Sequence, residues 1–212
     1  LVALVPVFLR TMFAGTPIGD AKTILTIHNL RFQGVYNIST IRYWTNLPDE
    51  VFNIDVFKTG YEDANMLKAG LAYADAITTV SETYAGEIQT PFFGDGLDAH
   101  IRHHSGKLRG IVNGIDVVQW DPKADTRIAE PYDITEVLEK KKQNKRALQE
   151  ELGLDIDEDK FVIGLISRLT NQKGLDLVND VLPGLIDGNT QIVVLGTGDA
   201  VYEGSFRNFE NW

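Results

Sequence analysis

The chain of 212 residues has no cysteine, which excludes disulfides, thiolate metal ligands and cysteine nucleophiles and is typical of a cytoplasmic protein. It is also short of positive charge, because 20 lysines and arginines stand against 30 acidic residues and give a net charge of −10. So acidic a chain is a poor partner for nucleic acid or for an anionic membrane surface. No apolar run approaches the roughly 18 residues that cross a bilayer, so we expect no membrane partner.

The first residues, "LVALVPVFLR", are apolar but lack the basic start and the small-residue cleavage site of a signal peptide. We therefore predict a helix that packs in the core. The chain does not begin with methionine, and both of its ends fall inside patterned segments. We expect it to be cut from a longer protein and to be incomplete at both ends.

What the sequence does contain is a series of short runs rich in Ile, Val and Leu, separated by helical patterns. We predict strands at 23–29, 76–81, 108–114, 161–167 and 191–198. Their apolarity is nearly continuous, which is typical of parallel strands that helices bury on both faces. The fold class is therefore predicted as α/β, with doubly wound, Rossmann-like sheets.

A polar segment separates the first three predicted strands from the last two. It contains two prolines and one amphipathic helix, for which Asp133 is the predicted N-cap and Gly153 the predicted stop. We place a domain boundary near 116–130, and predict domains of residues 1–120 and 121–212.

The predicted strands all finish in polar residues or glycine. In open parallel sheets, ligands bind outside the carboxyl ends of the strands. These ends are therefore candidate site positions, although polar residues are also usual where any strand meets a loop. In chain order the candidates are His28, Asn29, Ser81, Asn113, Arg168 and Gly198.

The fourth strand leads into a pair of cations. Arg168 follows the strand, and Lys173 stands just before Gly174 and a helical pattern. An arginine fork, a lysine point charge and the amide groups of a helix start suit an anionic ligand such as a diphosphate. The alternative is that both are ordinary surface charges without a ligand.

Two other patterns point to cofactors or metals but fit them poorly. The "GTGD" stretch at 196–199 lacks the third glycine of a dinucleotide fingerprint, since position 201 is Val201, which disfavours a dehydrogenase. A histidine cluster with helical spacing permits a metal site, but it lies in a very polar stretch, and we favour a solvated helix. That cluster is His100, His103 and His104.

Four segments in order resemble bacterial glycogen synthase, the family that also includes plant starch synthases. They are "TIHNLRFQG", "LKAGLAYADAITTVSETYAGEI", "GKLRGIVNGIDVVQWDP" and "LISRLTNQKGLDLV…LPGLI…QIVVLGTGD". The resemblance covers nearly the whole chain, apart from 39–58, which reads as a variable insert. It implies the two-domain GT-B fold, with residues 1–120 in the acceptor-side domain and residues 121–212 beginning the nucleotide-sugar domain.

The resemblance also implies a reaction, in which glucose moves from ADP-glucose to the non-reducing end of an α-1,4-glucan with retention of configuration. Neither a metal nor another cofactor is implied. His28 would hold the transferred glucose, and Asn29 and Asn113 would line the sugar pocket. Arg168 and Lys173 would bind the diphosphate and stabilise the charge of the departing ADP. Weaker substrate-binding candidates are Ser81, Thr170 and Gly198.

Some family motifs are missing from this chain. The glycine-rich "KTGGLGD" segment and the late "RFEPCGL" segment, whose glutamate faces the donor sugar, do not occur. We therefore expect the chain alone to have little or no transferase activity. The alternatives are another retaining GT-B enzyme that uses UDP-glucose, and a non-catalytic carbohydrate-binding module.

Overall fold

The structure, a computed structural model, describes residues 2–210. It divides into two compact units, of which the first ends at Gly114 and the second begins at Ile115. Their assignment as an acceptor-side domain and a nucleotide-sugar domain stays a prediction.

The first unit contains the first three predicted strands, which lie side by side in their chain order and pair in parallel. Its strands are β1 (Ile24–Ile27), β2 (Val35–Asn37), β3 (Asp63–Asn65), β4 (Ala76–Thr79) and β5 (Leu108–Gly110). Its helices are α1 (Val5–Arg10), α2 (Ile38–Thr45), α3 (Met66–Tyr73), α4 (Glu82–Glu87) and α5 (Asp98–His103). The predicted parallel arrangement is confirmed, while the short antiparallel pair β2-β3 was not predicted.

Two hydrophobic clusters hold the first unit together. One joins the parallel sheet to α3 and α5 through residues such as Ile77, Leu71 and Ile101. The other packs α1, α2 and α3 together. The predicted core helix at the N-terminus is confirmed, since Pro6 and Val7 of α1 are buried.

The segment 39–58, predicted to be a variable insert, contributes to the core of the first unit. The segment supplies a large part of the second cluster, because its apolar residues are buried beneath α1 and α3. These residues are Ile41, Leu47, Val51, Phe52 and Phe57. Their spacing is irregular because they come from a helix, a 3-10 turn and a loop, which hides them from a search for one repeating period.

The second unit is built on the last two predicted strands, β6 (Phe161–Ile166) and β7 (Thr190–Leu195). They pair in parallel over their full length, as predicted. The helices are α6 (Val137–Glu151), α7 (Leu175–Leu185) and α8 (Ala200–Phe209), and a 3-10 turn at Asn171–Lys173 precedes α7.

The expectation that the strands are buried on both faces is wrong for much of the second sheet. Phe161, Ile166 and Leu195 are 68%, 72% and 65% exposed. A sheet of two strands has two edges and few covering neighbours, so continuous apolarity along a strand does not ensure burial within this unit.

The boundaries of α6 test the two predicted caps. Asp133 does not cap the helix, because its Oδ1 accepts the Thr135 N–H at 2.9 Å and closes a local turn before α6 begins. Gly153 is confirmed as the stop. Its N–H donates to the Glu150 carbonyl oxygen at 3.3 Å and that of Leu154 to the Gln149 carbonyl oxygen at 2.9 Å, which together form a Schellman motif.

Within residues 2–210, none of the helices has the length and apolarity needed to cross a membrane.

Candidate functional site

In the first unit, the register of the sheet aligns the carboxyl ends of its three parallel strands. Ile27 of β1 lies beside Thr79 of β4, which lies beside Gly110 of β5. The residues that follow these strands therefore emerge at one edge. His28 directly follows β1, and Ser81 and Asn113 follow β4 and β5 within a few residues, so the candidates of this unit all come after the same edge of the sheet.

The side chains at this edge are mostly available to a ligand. His28, Asn29 and Asn113 are exposed, and within residues 2–210 neither His28 nor Asn113 has a side-chain hydrogen-bond partner. Asn29 accepts the Arg31 N–H through Oδ1 at 3.0 Å, which closes a turn directly after β1. This turn fixes the direction in which the chain leaves the strand, next to His28.

Ser81 has a structural role in addition to its predicted one. Its Oγ accepts the Tyr84 N–H at 2.9 Å, so the residue is the N-cap of α4. An N-cap hydroxyl satisfies an amide group that the helix itself leaves without a partner. One of the two acceptor lone pairs of the Ser81 hydroxyl is thus used within the fold, and the other lone pair and the O–H remain for a ligand.

In the second unit, one loop after β6 carries both predicted cations. Arg168 is exposed, whereas its neighbour Leu169 is only 3% exposed and anchors the loop. Thr170 is half-buried, and its carbonyl oxygen accepts the Lys173 N–H at 3.0 Å across the 3-10 turn. Gly174 follows with a φ of 65°, a left-handed conformation that suits glycine, and starts α7.

The two cations of this loop have no protein partners in the described part of the chain. Among residues 2–210, neither Arg168 nor Lys173 makes a side-chain hydrogen bond or an ion pair, and the same holds for Lys141 on α6. Most other cations of this unit are paired: Lys140 contacts Glu130 at 2.7 Å and Arg127 contacts Asp125 at 2.8 Å. Two exposed cations beside a helix start can attract an anionic group without first breaking a protein contact.

Gly198 lies in the neighbouring loop, after β7. Its N–H donates to the Glu203 carboxylate at 2.8 Å, so the amide is already occupied. Gly198 therefore contributes the shape of the loop rather than a free donor. Glu203 was not among the predicted residues. The sequence pattern that could have identified it is an acidic residue in the first turn of a helix that follows a glycine-rich strand end.

The predicted residues fall into two sets, one in each unit. His28, Asn29, Ser81 and Asn113 belong to the first unit, at the carboxyl edge of its sheet. Arg168, Thr170, Lys173 and Gly198 belong to the second, on the two adjacent loops that follow its strands. Their roles toward a ligand stay predictions.

The histidine cluster differs from the solvated helix that we expected. His103 is exposed, but His100 and His104 are partly buried and line a cavity of about 640 Å³ together with Lys68 and Tyr73 of α3. His100 Nε2 is 2.9 Å from the Lys68 carbonyl oxygen. Burial, together with the neighbouring cations, lowers the pKa of His104 to about 4.

This cavity is lined by residues of α3, of α5 and of 54–56, and His28, Ser81 and Asn113 are not among its lining residues. Between residues 2 and 210 no group of three or more His, Asp or Glu side chains is arranged to hold a metal ion. The metal alternative for the histidines therefore has no support in the described geometry.

Comparison with known proteins gives the same family from sequence and from structure. Residues 1–103 match the family described as starch synthase catalytic domain. A glycogen synthase from Lachnospira eligens is 50% identical over 208 residues, and one from Thermotoga petrophila is 47% identical over 209; each alignment covers 98% of this chain. The catalytic domain of starch synthase IV from Arabidopsis thaliana, bound to ADP and acarbose, superposes with a TM-score of 0.86 and 28% identity over 99% of this chain.

These matches confirm the predicted α/β fold of the GT-B type. The chain spans less than half the length of the proteins it matches, with 43% of the Lachnospira protein, 42% of the Thermotoga protein and 42% of the Arabidopsis chain covered. The similarity nevertheless extends through both units. The chain therefore belongs to the family of glycogen synthases and starch synthases.

Proposed function

We propose that this chain supplies the diphosphate-binding loop and part of the sugar-binding edge of a retaining glucosyltransferase. The enzyme transfers glucose from ADP-glucose to the non-reducing end of an α-1,4-glucan, in the cytoplasm. The observation that carries the proposal is the pair Arg168 and Lys173, two exposed cations without described protein partners on one loop that leads into α7.

The chemistry explains why such a loop is needed. When the bond between the anomeric carbon and the phosphate oxygen breaks, the electron pair leaves with ADP, so negative charge grows on the diphosphate. Fixed cations stabilise this charge more strongly in the transition state than in the ground state, which lowers the barrier. Arg168 offers a planar fork to two phosphate oxygens, and Lys173 adds a point charge at the start of the helix.

The first unit supplies the sugar side of the proposal. His28 has an exposed imidazole at the carboxyl edge of the sheet, where it can donate a hydrogen bond to a glucose hydroxyl. Asn29 and Asn113 offer amide groups at the same edge, and an amide both donates and accepts hydrogen bonds, as recognition of hydroxyls requires. These exposed imidazole and amide groups can pair with the hydroxyl groups of a carbohydrate.

The proposal can be tested with a chimera in which this chain replaces the matching segment of the Lachnospira eligens glycogen synthase. We expect the chimera to extend glucan from ADP-glucose in preference to UDP-glucose, and the 212-residue chain alone to show little or no transfer. The substitution Arg168→Ala should lower kcat by about 10²- to 10³-fold, as loss of one charge-stabilising group does in other enzymes.

Arg146→Ala is the matched control, because Arg146 is an exposed arginine on α6 whose contact is a surface ion pair with Glu150 at 3.1 Å. It should leave turnover unchanged. Normal turnover of the Arg168→Ala chimera would favour the non-catalytic module, and equal use of UDP-glucose would favour another GT-B transferase.

A further inference from the structure

The loops after β6 and β7 are joined by backbone hydrogen bonds beyond the ends of the strands. The Leu169 N–H donates to the Thr197 carbonyl oxygen at 2.9 Å, and the Asp199 N–H donates to the Leu169 carbonyl oxygen at 2.7 Å. Leu169 and Gly198 form a parallel bridge as a result. The backbone next to Arg168 therefore takes its position from the loop after β7.

This junction depends on close approach of the two chains at Gly198. A Cβ atom at this position would lie 2.2 Å from the Leu169 carbonyl oxygen, which is far inside van der Waals contact. Glycine is thus required for the bridge to form. Because glycine has no side chain, Gly198 itself makes no side-chain contact, and the loop after β7 is held by its backbone hydrogen bonds and by the group that accepts the Gly198 N–H.

Glu203 is placed to hold that loop. It lies in the first part of α8, and its Oε1 accepts the Gly198 N–H at 2.8 Å, reaching back over the start of the helix. A carboxylate also adds negative charge next to a loop proposed to bind a diphosphate, which by itself lowers affinity for an anion. The charge of Glu203 therefore does not explain an acid at this position, whereas its hydrogen bond to the Gly198 N–H does.

We propose that Glu203 is a positioning residue for donor binding: through Gly198 and Leu169 it fixes the loop that presents Arg168 to the diphosphate. This inference rests on the proposed function. It also differs from simple capping of α8, because a cap stabilises the helix and leaves donor recognition unchanged.

Three substitutions separate the hydrogen bond from the charge. Glu203→Gln keeps an acceptor oxygen at the same reach but removes the charge, Glu203→Asp keeps the charge but is one methylene too short, and Glu203→Ala removes both. Each is made in the chimera with the Lachnospira protein, and kcat, the KM for ADP-glucose, the KM for glucan and the melting temperature are measured. The affinity of the 212-residue chain for ADP is measured by titration calorimetry.

We expect Glu203→Asp and Glu203→Ala to raise the KM for ADP-glucose about 5- to 20-fold, which lies between the loss of a typical hydrogen bond and the loss of one to a charged group, with the KM for glucan unchanged. The ADP dissociation constant should rise in parallel. Glu203→Gln should stay within about twofold of the parent in both. Glu151→Ala, an exposed acid at the end of α6, serves as the matched control and should have no effect.

The inference is overturned if all three variants match the parent, if Glu203→Gln is impaired while Glu203→Asp is not, or if the KM for glucan and the KM for ADP-glucose rise together. Should Glu203→Ala fail to fold, the comparison of Glu203→Gln with Glu203→Asp decides.

Arg168→Ala in the same chimera separates the two proposals: if it is impaired while Glu203→Asp and Glu203→Ala are normal, only the inference fails. If Arg168→Ala is normal or the chain does not bind ADP, the proposed function fails as well.

Discussion

The two units reach their structures by different means. The first has two clusters of buried apolar residues around its sheet and helices. In the described part of the second, the buried apolar side chains are Leu169, Leu175 and Leu182. The second unit relies more on hydrogen bonds. Some join the loops after β6 and β7, and others surround the buried side-chain amides of Gln149 and Gln191. The cations proposed to bind the diphosphate thus lie on loops that are positioned by backbone hydrogen bonds, whereas the proposed sugar edge lies on a packed core.

The largest expected effect tests the packed core of the first unit directly. Leu71 of α3 is fully buried, and Leu71→Ala should lower the free energy of unfolding of this unit by about 2–5 kcal/mol, because it leaves a cavity. Leu182→Ala should cost less in the second unit, since Leu182 lines an open groove of about 570 Å³ that solvent can fill.

Denaturant titration followed by hydrogen–deuterium exchange, read peptide by peptide, assigns each loss to its unit. Leu138→Ala is the control, because Leu138 is 83% exposed and its truncation should change little. Equal losses for Leu71→Ala and Leu182→Ala would contradict the difference in packing.

A smaller effect tests the amide pair of the second unit. Gln149 is 1% exposed; its Nε2 donates to the Gln191 Oε1 at 2.7 Å and its Oε1 accepts the Asp157 N–H at 3.3 Å. Gln149→Ala should lower the unfolding free energy by about 1–3 kcal/mol, because it leaves buried polar groups without partners. Gln143→Ala, at an exposed position of the same helix, should be neutral in the same denaturant titration. Unaltered stability of Gln149→Ala would show that water replaces the side chain.

The smallest effect concerns pH and the first unit only. All four histidines of the chain lie in the first unit, and burial lowers the pKa of His104 from 6.5 to about 4. A lowered histidine pKa means that the unfolded chain binds the proton first, so stability is full above pH 6.5 and falls as the pH decreases toward 4. The effect is reduced by solvent screening, since His104 is only partly buried.

As the pH is lowered from 6.5 to about 5, the protection factors, which are exchange rates corrected for the intrinsic pH dependence of amide exchange, should therefore fall in the first unit. They should stay level in the second unit, which has no histidine. His104→Gln should flatten part of the dependence. This pH range ends above the range in which carboxylates change the stability. Asp133 is an example, because its hydrogen bonds with Thr135 and Lys123 lower its pKa to about 2. A parallel loss in both units would assign the pH effect to groups other than the histidines.

Sequence patterns predicted the structure best where one short segment or one residue was sufficient to define an element or its end. The strands at Ile24–Ile27 and Phe161–Ile166 and the stop at Gly153 were all predicted from short apolar runs or one glycine. The patterns failed at Asp133, where a local turn competed with a helix cap, and in 39–58, where several irregular pieces share one core. Local competition and non-local packing both lie outside what a repeating pattern can express.

The sequence by itself determined the parallel α/β architecture, the cations Arg168 and Lys173 after one strand and His28 after another, because strand runs and their terminal residues are local features. Only the tertiary structure decided that His28, Ser81 and Asn113 share one edge, since that depends on the register of three strands distant in the chain. It also decided that Glu203 holds Gly198 and that His100 and His104 line a cavity. Such contacts arise when separate elements pack together, so the spacing of residues along the chain does not predict them.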